Sequence, residues 1–339
     1  MRMTSYYDFI KPILFKMDAE RAHELVRKVL KFNLNFMKFN SELLNTKIKE
    51  LMLENPLALA AGFDKNAEIV TFLSSLGFGY ITLGSVLLKP NKGNPRPRIV
   101  RYPKLKSMTN SMGLPSVGIE KFIENLKKQR KFSPISISIA GNTIEEIKEL
   151  YLKASKYAEI IEINLSCPNT ENGRLFQEID NFDKLSREIS EIKNRITFVK
   201  ISPPANKKDI ENHLELADLC IKRNIDGVTA INTLQVKDEN LATKQGGLSG
   251  KLIFNLMLNT VKILYKETRG KIIINACGGI FDWKDAVLAM MHGANTFQIY
   301  TALIYEGISI NKSILKGINN FLMKNKFSNI NEIVGYKVK

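Results

Sequence analysis

The segment Asn164-Leu165-Ser166-Cys167-Pro168-Asn169-Thr170 sets one thiol between two carboxamides. Cys167 is the side chain here with base or nucleophile chemistry near neutral pH. No His is close to it in sequence, and no donor set for an oxyanion is visible, so a proton acceptor fits better than a covalent nucleophile. The bland alternative is a buried free Cys, which is usually inert. Asn110 and Asn232 join Asn164 and Asn169. A lone loop Asn is usually a turn residue. Four that fall near strand ends suit a planar ring edged with C=O and N–H groups, because an amide both donates and accepts. Lys65 lies just after an apolar run and Lys200 inside one. A lysine in such a place needs an anion: a phosphate, a carboxylate or the electron-rich edge of a reduced flavin. Gly278-Gly279 and Thr301 match a phosphate cradle, where glycines let backbone N–H groups approach the anion. A second glycine cluster, Gly246-Gly247-Leu248-Ser249-Gly250, stands upstream.

These residues need a frame. Short apolar runs recur at 57–62, 80–84, 135–140, 160–165, 196–201, 227–231, 271–276 and 296–300. Most are nearly continuous, as parallel strands buried on both faces require. Amphipathic stretches separate them, at 143–157, 210–223, 251–268 and 282–292, the first opened by a capping box of Thr143 and Glu146. Eight strand–helix units predict an α/β fold, a (β/α)8 barrel, over an open doubly wound sheet. No Gly-x-Gly-x-x-Gly follows the first strand to argue for the sheet. In a barrel the functional groups gather at the strand C-termini, and the residues above stand there.

Two regions lie outside the repeat. Residues 1–45 are expected to form a small N-terminal helical subdomain ahead of a barrel spanning 46–339. It contains 6–14 and 18–32, the second with Asp18 as N-cap and a stripe of Ala22, Leu25, Val26, Val29 and Leu30. The plain reading is two helices packed on the barrel bottom; the sharper one is an amphipathic element touching a membrane or an apolar ligand. The connection 85–118 is far longer than a usual strand-to-helix loop, so a functional role is expected.

Composition narrows the class. Among 339 residues, 50 Lys+Arg against 34 Asp+Glu give +16. The lysines are spread along the chain with no RNA-binding motif, so no nucleic-acid partner is expected. A hydrophobic content of 44% excludes a disordered chain. Cys167, Cys220 and Cys277 form no Cys-x-x-Cys pair, and His23, His213 and His292 are scattered. No disulfide framework or metal site is expected, and a reducing compartment is. No apolar run reaches about 18 residues, and residues 1–16 are too broken by charge for a secretory signal.

Ala60-Ala61-Gly62-Phe63-Asp64-Lys65, Gly93-Asn94-Pro95-Arg96-Pro97-Arg98, Asn110-Ser111-Met112-Gly113, the Asn164–Thr170 segment, Gly246–Gly250 and Gln298-Ile299-Tyr300 occur in one order along nearly the whole chain. Together they resemble dihydroorotate dehydrogenase, the flavin enzyme of pyrimidine synthesis. The resemblance implies FMN at the barrel mouth. Ala61, Gly62, Lys65, Ser85, Asn164, Lys200 and Ile231 would line its ring and ribityl chain, and Gly250, Gly278, Gly279, Tyr300 and Thr301 its phosphate end. Lys65, Asn110, Met112, Gly113, Leu114, Asn164, Asn169, Asn232 and Thr233 would hold dihydroorotate. Cys167 takes the position of the catalytic base. Lys200 would balance the charge of the reduced flavin, and Lys65 completes the catalytic set.

The segment 6–32, with Leu14-Phe15 and Asp18-Ala19-Glu20-Arg21-Ala22-His23, is similar to the quinone-dependent class, whose two N-terminal helices form an apolar tunnel to the flavin. That resemblance implies quinone as acceptor and peripheral contact with the cytoplasmic face of the membrane. The family's quinone class normally has Ser as base and Asn at position 138, where this chain has Cys167 and Ser138. Cys167 and the segment Asn110-Ser111-Met112-Gly113-Leu114-Pro115 resemble the soluble class, so a soluble cytoplasmic enzyme using fumarate or NAD stays open. So do another FMN barrel acting on a dihydropyrimidine, a non-catalytic barrel, and the choice between monomer and homodimer.

Overall fold

Eight parallel strands close on themselves in chain order: β1 (Leu57–Leu59), β2 (Tyr80–Val86), β3 (Ile135–Ile139), β4 (Ile160–Asn164), β5 (Ile196–Ile201), β6 (Gly227–Ala230), β7 (Ile273–Cys277) and β8 (Thr296–Ile299). The computed structural model describes residues 6–30, 38–165 and 175–338. All eight expected strands are present. β7 starts and ends later than its apolar run, which brings Cys277 into the barrel wall.

The strands are buried along all of their length, or all but the ends in β4 and β7, because helices cover the outer face. Ile147, Leu150 and Tyr151 of helix Ile144–Ala154 supply one such cover. The Thr143 side chain caps Glu146 N–H at 3.2 Å as expected, but Glu146 reaches back to the N–H of Asn142 at 2.8 Å, not to that of Thr143. Helix Lys207–Lys222 begins three residues before its predicted start, capped by Asn206, whose short amide satisfies the N–H of Asp209.

The bottom of the barrel is apolar. Ala58, Tyr80, Ile160, Ile196 and Phe198 meet Ile48 and Leu53 of an antiparallel hairpin, Thr46–Ile48 with Leu51–Leu53. That hairpin, rather than the N-terminal helices, closes this end.

Helices α1 (Tyr6–Lys16) and α2 (Ala19–Leu30) sit at the opposite end, over the mouth. His23 Nε2 lies 2.9 Å from the carbonyl of Phe63, just past β1, and Lys11 Nζ donates to the carbonyl of Tyr305 at 2.7 Å. Asp18 accepts from the N–H groups of Glu20 and Arg21, as an N-cap should. Ala22 is buried and Val26 packs on the core, but Leu25 is exposed together with Phe9, Ile10 and Ile13. The side chains of Val29 and Leu30 lie outside the described residues.

The long connection after β2 is structured. Ile99–Tyr102 and Ser107–Asn110 pair with each other, and the second pairs with Gln245–Gly250, which pairs with Leu234–Lys237. This four-stranded antiparallel sheet joins two insertions about 140 residues apart in sequence and forms one wall of the mouth.

Candidate active site

A cavity with about 1200 Å³ of empty space, counted out to solvent, opens at the C-terminal ends of the barrel strands. Its depth comes from the barrel and its rim from the four-stranded sheet.

One side is built by the ends of β1, β2, β4, β5 and β6. Ala61, Gly62, Lys65, Ser85, Asn164, Lys200 and Ile231 all line it. The loop after β1 is organised by Asp64, whose fully buried carboxylate accepts from the N–H groups of Glu68 at 3.0 Å and Ile69 at 2.8 Å. This makes Asp64 structural and turns Lys65 to the cavity, where Nζ donates to the Gly62 carbonyl at 2.9 Å. Burial, reinforced by the nearby Arg98 guanidinium, pulls the Lys65 amine down to about 8.

A chain of polar contacts crosses the floor. Asn232 Nδ2 donates to Asn164 Oδ1 at 3.3 Å, and Asn164 Nδ2 donates to Ser85 Oγ at 3.1 Å. Ser85 and Ser138 share a hydrogen bond of 2.9 Å. Each amide is thus held in one orientation at the cavity wall.

On the rim stand Asn110, Met112, Gly113, Leu114 and Thr233, next to Asn232 of the floor. Asn110 is the last residue of its strand, and its Nδ2 donates to the Gly247 carbonyl at 3.3 Å. Gly113 has φ +67°, and a Cβ there would overlap Asn94, so the Gly93–Arg98 motif packs directly beneath the rim.

The far end is lined by Gly250, Gly278, Gly279, Tyr300 and Thr301. Gly279 has φ +74°, and a Cβ would come within 2.8 Å of the backbone of Phe254. Thr301 Oγ1 donates to Ser249 Oγ at 3.1 Å. Bare backbone and hydroxyls at this place in a barrel can receive a phosphate. The donor set as a whole fits a long ligand with a planar, amide-edged head and an anionic tail. Among the described residues no His/Cys/Asp/Glu group is placed to hold a metal ion.

The cavity therefore gathers every described residue expected at the site. Cys167 and Asn169 lie outside the described residues. Two participants escaped the sequence reading. Cys277 lines the cavity and hydrogen-bonds with Lys200. It was hidden because the apolar run stops at Ala276; strand alternation from Asn275 would have pointed it inward. Glu162 lies under the floor, 3.9 Å from Lys200 Nζ. A carboxylate two residues before Asn164 shares its face, and that spacing was the available signal.

Lys200 is only 6% exposed. Burial works against its charge, but the Cys277 sulfur and the Glu162 carboxylate outweigh it and hold the amine above the usual lysine value. Burial likewise keeps the Cys277 thiol above its ordinary range, with Lys200 opposing.

The family model described as dihydroorotate dehydrogenase matches residues 43–322. A dihydroorotate dehydrogenase (quinone) of Wigglesworthia glossinidia brevipalpis is 36% identical, covering 91% of this chain and 99% of that relative. A dihydroorotate dehydrogenase (quinone) of Coxiella burnetii is 33% identical over 91% of this chain and 96% of its own length. The crystal structure of DHODH from Eimeria tenella in complex with ferulenol superposes with a TM-score of 0.86 at 27% identity, covering 94% of this chain and 95% of that one.

Proposed function

Since the chain belongs to the dihydroorotate dehydrogenase family, we propose that this mouth is where it oxidises (S)-dihydroorotate to orotate in pyrimidine synthesis, with FMN as the flavin and a quinone as electron acceptor. One observation carries the reading: Lys65, Asn110, Asn164, Lys200 and Asn232, drawn from five separate segments, line one cavity whose other end is glycine backbone.

The residues fit the cofactor. Asn164, Ser85 and Lys200 offer donors and an acceptor to a ring edge, and Gly250, Gly278, Gly279 and Thr301 offer a cradle to the phosphate end. When bound, the flavin supplies the acceptor for the hydrogen and electron pair that leave C6 of dihydroorotate. Asn110, Asn164, Asn169, Asn232 and Thr233 hold the flat substrate by its amide edges, with Met112, Gly113 and Leu114 against it. The Lys65 amine faces the substrate carboxylate. Cys167 takes the proton from C5. Lys200 stands ready as a positive charge against the negative charge that reduction adds.

Residues 1–45 are the proposed path for the quinone, and the barrel, 46–339, the site of chemistry. Phe9 and Ile13 are 73% and 66% exposed, and with Ile10 and Leu25 they put an apolar surface outward from the mouth. Such a surface supports peripheral contact with the cytoplasmic face of a membrane. No described helix is long and apolar enough to cross one.

The test is anaerobic. The yellow protein bleaches on adding dihydroorotate and recovers its colour with ubiquinone or menaquinone analogues, and far more slowly with fumarate or NAD. The Cys167→Ala variant binds the flavin but bleaches at least about 100-fold more slowly, the scale of a general base. Bleaching at the wild-type rate would remove Cys167 from the mechanism.

A further inference from the structure

Below the cavity floor the barrel interior is polar, where barrels usually carry branched apolar side chains. Glu162 of β4 is its centre and has no exposed surface. Its Oε2 accepts from the Thr229 hydroxyl of β6 at 2.8 Å and from Gln298 Nε2 of β8 at 3.3 Å. Thr229 is held in turn by Asn275 Nδ2 at 3.1 Å, and Asn275 Oδ1 by the Thr296 hydroxyl at 3.0 Å. The second oxygen, Oε1, accepts no hydrogen bond among the described residues and faces Lys200 Nζ at 3.9 Å. Four strands thus cooperate to aim one carboxylate oxygen upward at the amine that lines the cavity.

We propose that Glu162 is the positioning residue for Lys200: a built-in counter-ion beneath the floor that keeps the amine protonated before any negative charge arrives above it. The inference rests on the reading of the cavity as a flavin site. A lysine buried this deeply without a partner tends to lose its proton. With Glu162 in place the amine is charged while the ring above it is neutral, and it meets the negative charge of the reduced ring without a proton having to follow. Among the described residues the other titratable groups around the pair are Cys277, whose sulfur supports the Lys200 charge alongside Glu162, and Tyr80; burial works against ionisation of both.

The readout is the proton count of flavin reduction, taken from the slope of the midpoint potential against pH between about 7.5 and 9, in anaerobic titrations of the holoenzyme. Wild type takes up one proton per electron pair, the one bound at ring N5. Glu162→Gln takes up two, because the amine is now neutral at the start and is protonated as the ring gains charge. Combining it with Lys200→Met returns the count to one, which assigns the second proton to Lys200. A merely structural role for Glu162 would lower thermal stability and leave the count unchanged. Two results overturn the proposal alone: a count of two in wild type, or a count of one in flavin-loaded Glu162→Gln. If Glu162→Gln does not hold flavin, the wild-type count decides. A wild-type protein that binds no flavin overturns the cofactor reading as well, and is told apart by its colourless spectrum.

Discussion

Arg98 and Glu20 tie the long connection after β2 to helix α2 through a two-pronged ion pair. Arg98 Nη2 donates to Oε1 at 2.6 Å and Nε to Oε2 at 3.1 Å, and the two side chains are 10% and 11% exposed. Arg98 Nη1 also donates to the carbonyls of Lys92 at 2.9 Å and Asn94 at 3.1 Å. One guanidinium therefore fixes the rim loop and holds the helix that covers the mouth.

Glu20→Ala leaves that guanidinium buried without its carboxylate, a loss of about 2–4 kcal/mol. The expected result is a lower melting temperature and a quinone-reductase rate down at least about tenfold, with dihydroorotate-driven bleaching within about twofold of wild type. Equal losses in both half-reactions would show that the pair serves the flavin site rather than the docking of α2.

Acid should loosen the same helix. Burial, with Lys65 and Arg27 nearby, lowers His23 to about 4, below its unfolded value. A base whose pKa is depressed by folding leaves stability intact above the unfolded value, near 6.5, and withdraws it as pH falls toward 4. Glu20, whose carboxyl burial would raise but Arg98 and Arg96 hold low, adds a further loss as pH falls below the usual carboxylate range. Hydrogen exchange in residues 19–28 should accelerate between pH 6.5 and 4 before the barrel strands respond. His23→Gln should remove the upper part of that dependence.

Lys65 predicts the pH profile of ligand binding. Its amine is charged below about 8, and a carboxylate ligand binds the charged form. Affinity for orotate should be flat below that pH and fall above it by at most about tenfold per unit, the slope of one proton. Titrations by calorimetry or flavin absorbance would show it. Lys65→Met should bind more weakly and lose the pH dependence; a profile unchanged in that variant would sink the assignment.

Gly279→Ala should cost flavin affinity rather than fold. The new methyl meets the backbone of Phe254 at 2.8 Å from a φ of +74°, so the loop must shift. A strain of about 1–3 kcal/mol corresponds to roughly 5- to 150-fold weaker binding of FMN. The measurement is flavin content after dialysis, with circular dichroism confirming that the barrel remains.

Removing residues 1–40 should abolish quinone reduction and spare bleaching by dihydroorotate, if these helices carry the acceptor site. Unchanged quinone turnover in the truncated protein would refute that placement.

The barrel was legible in the residues because parallel strands covered on both faces must be apolar throughout, so eight runs such as Ile135–Ile139 announce themselves and their ends mark the mouth. Lys65, Lys200 and Gly278-Gly279 could be located from those ends alone. Other features depend on contacts between distant segments, which local pattern does not encode. Gln245–Gly250 has little β propensity and becomes a strand because Ser107–Asn110 and Leu234–Lys237 lie on either side of it. Helices α1 and α2 carry an apolar stripe that fits either end of a barrel; the pairing of Glu20 with Arg98 and of His23 with the Phe63 carbonyl decides for the mouth. Glu162 reads as an interruption in an apolar run, and only closure of the barrel, which brings β4, β6 and β8 around a common axis, turns it into a held charge beneath Lys200.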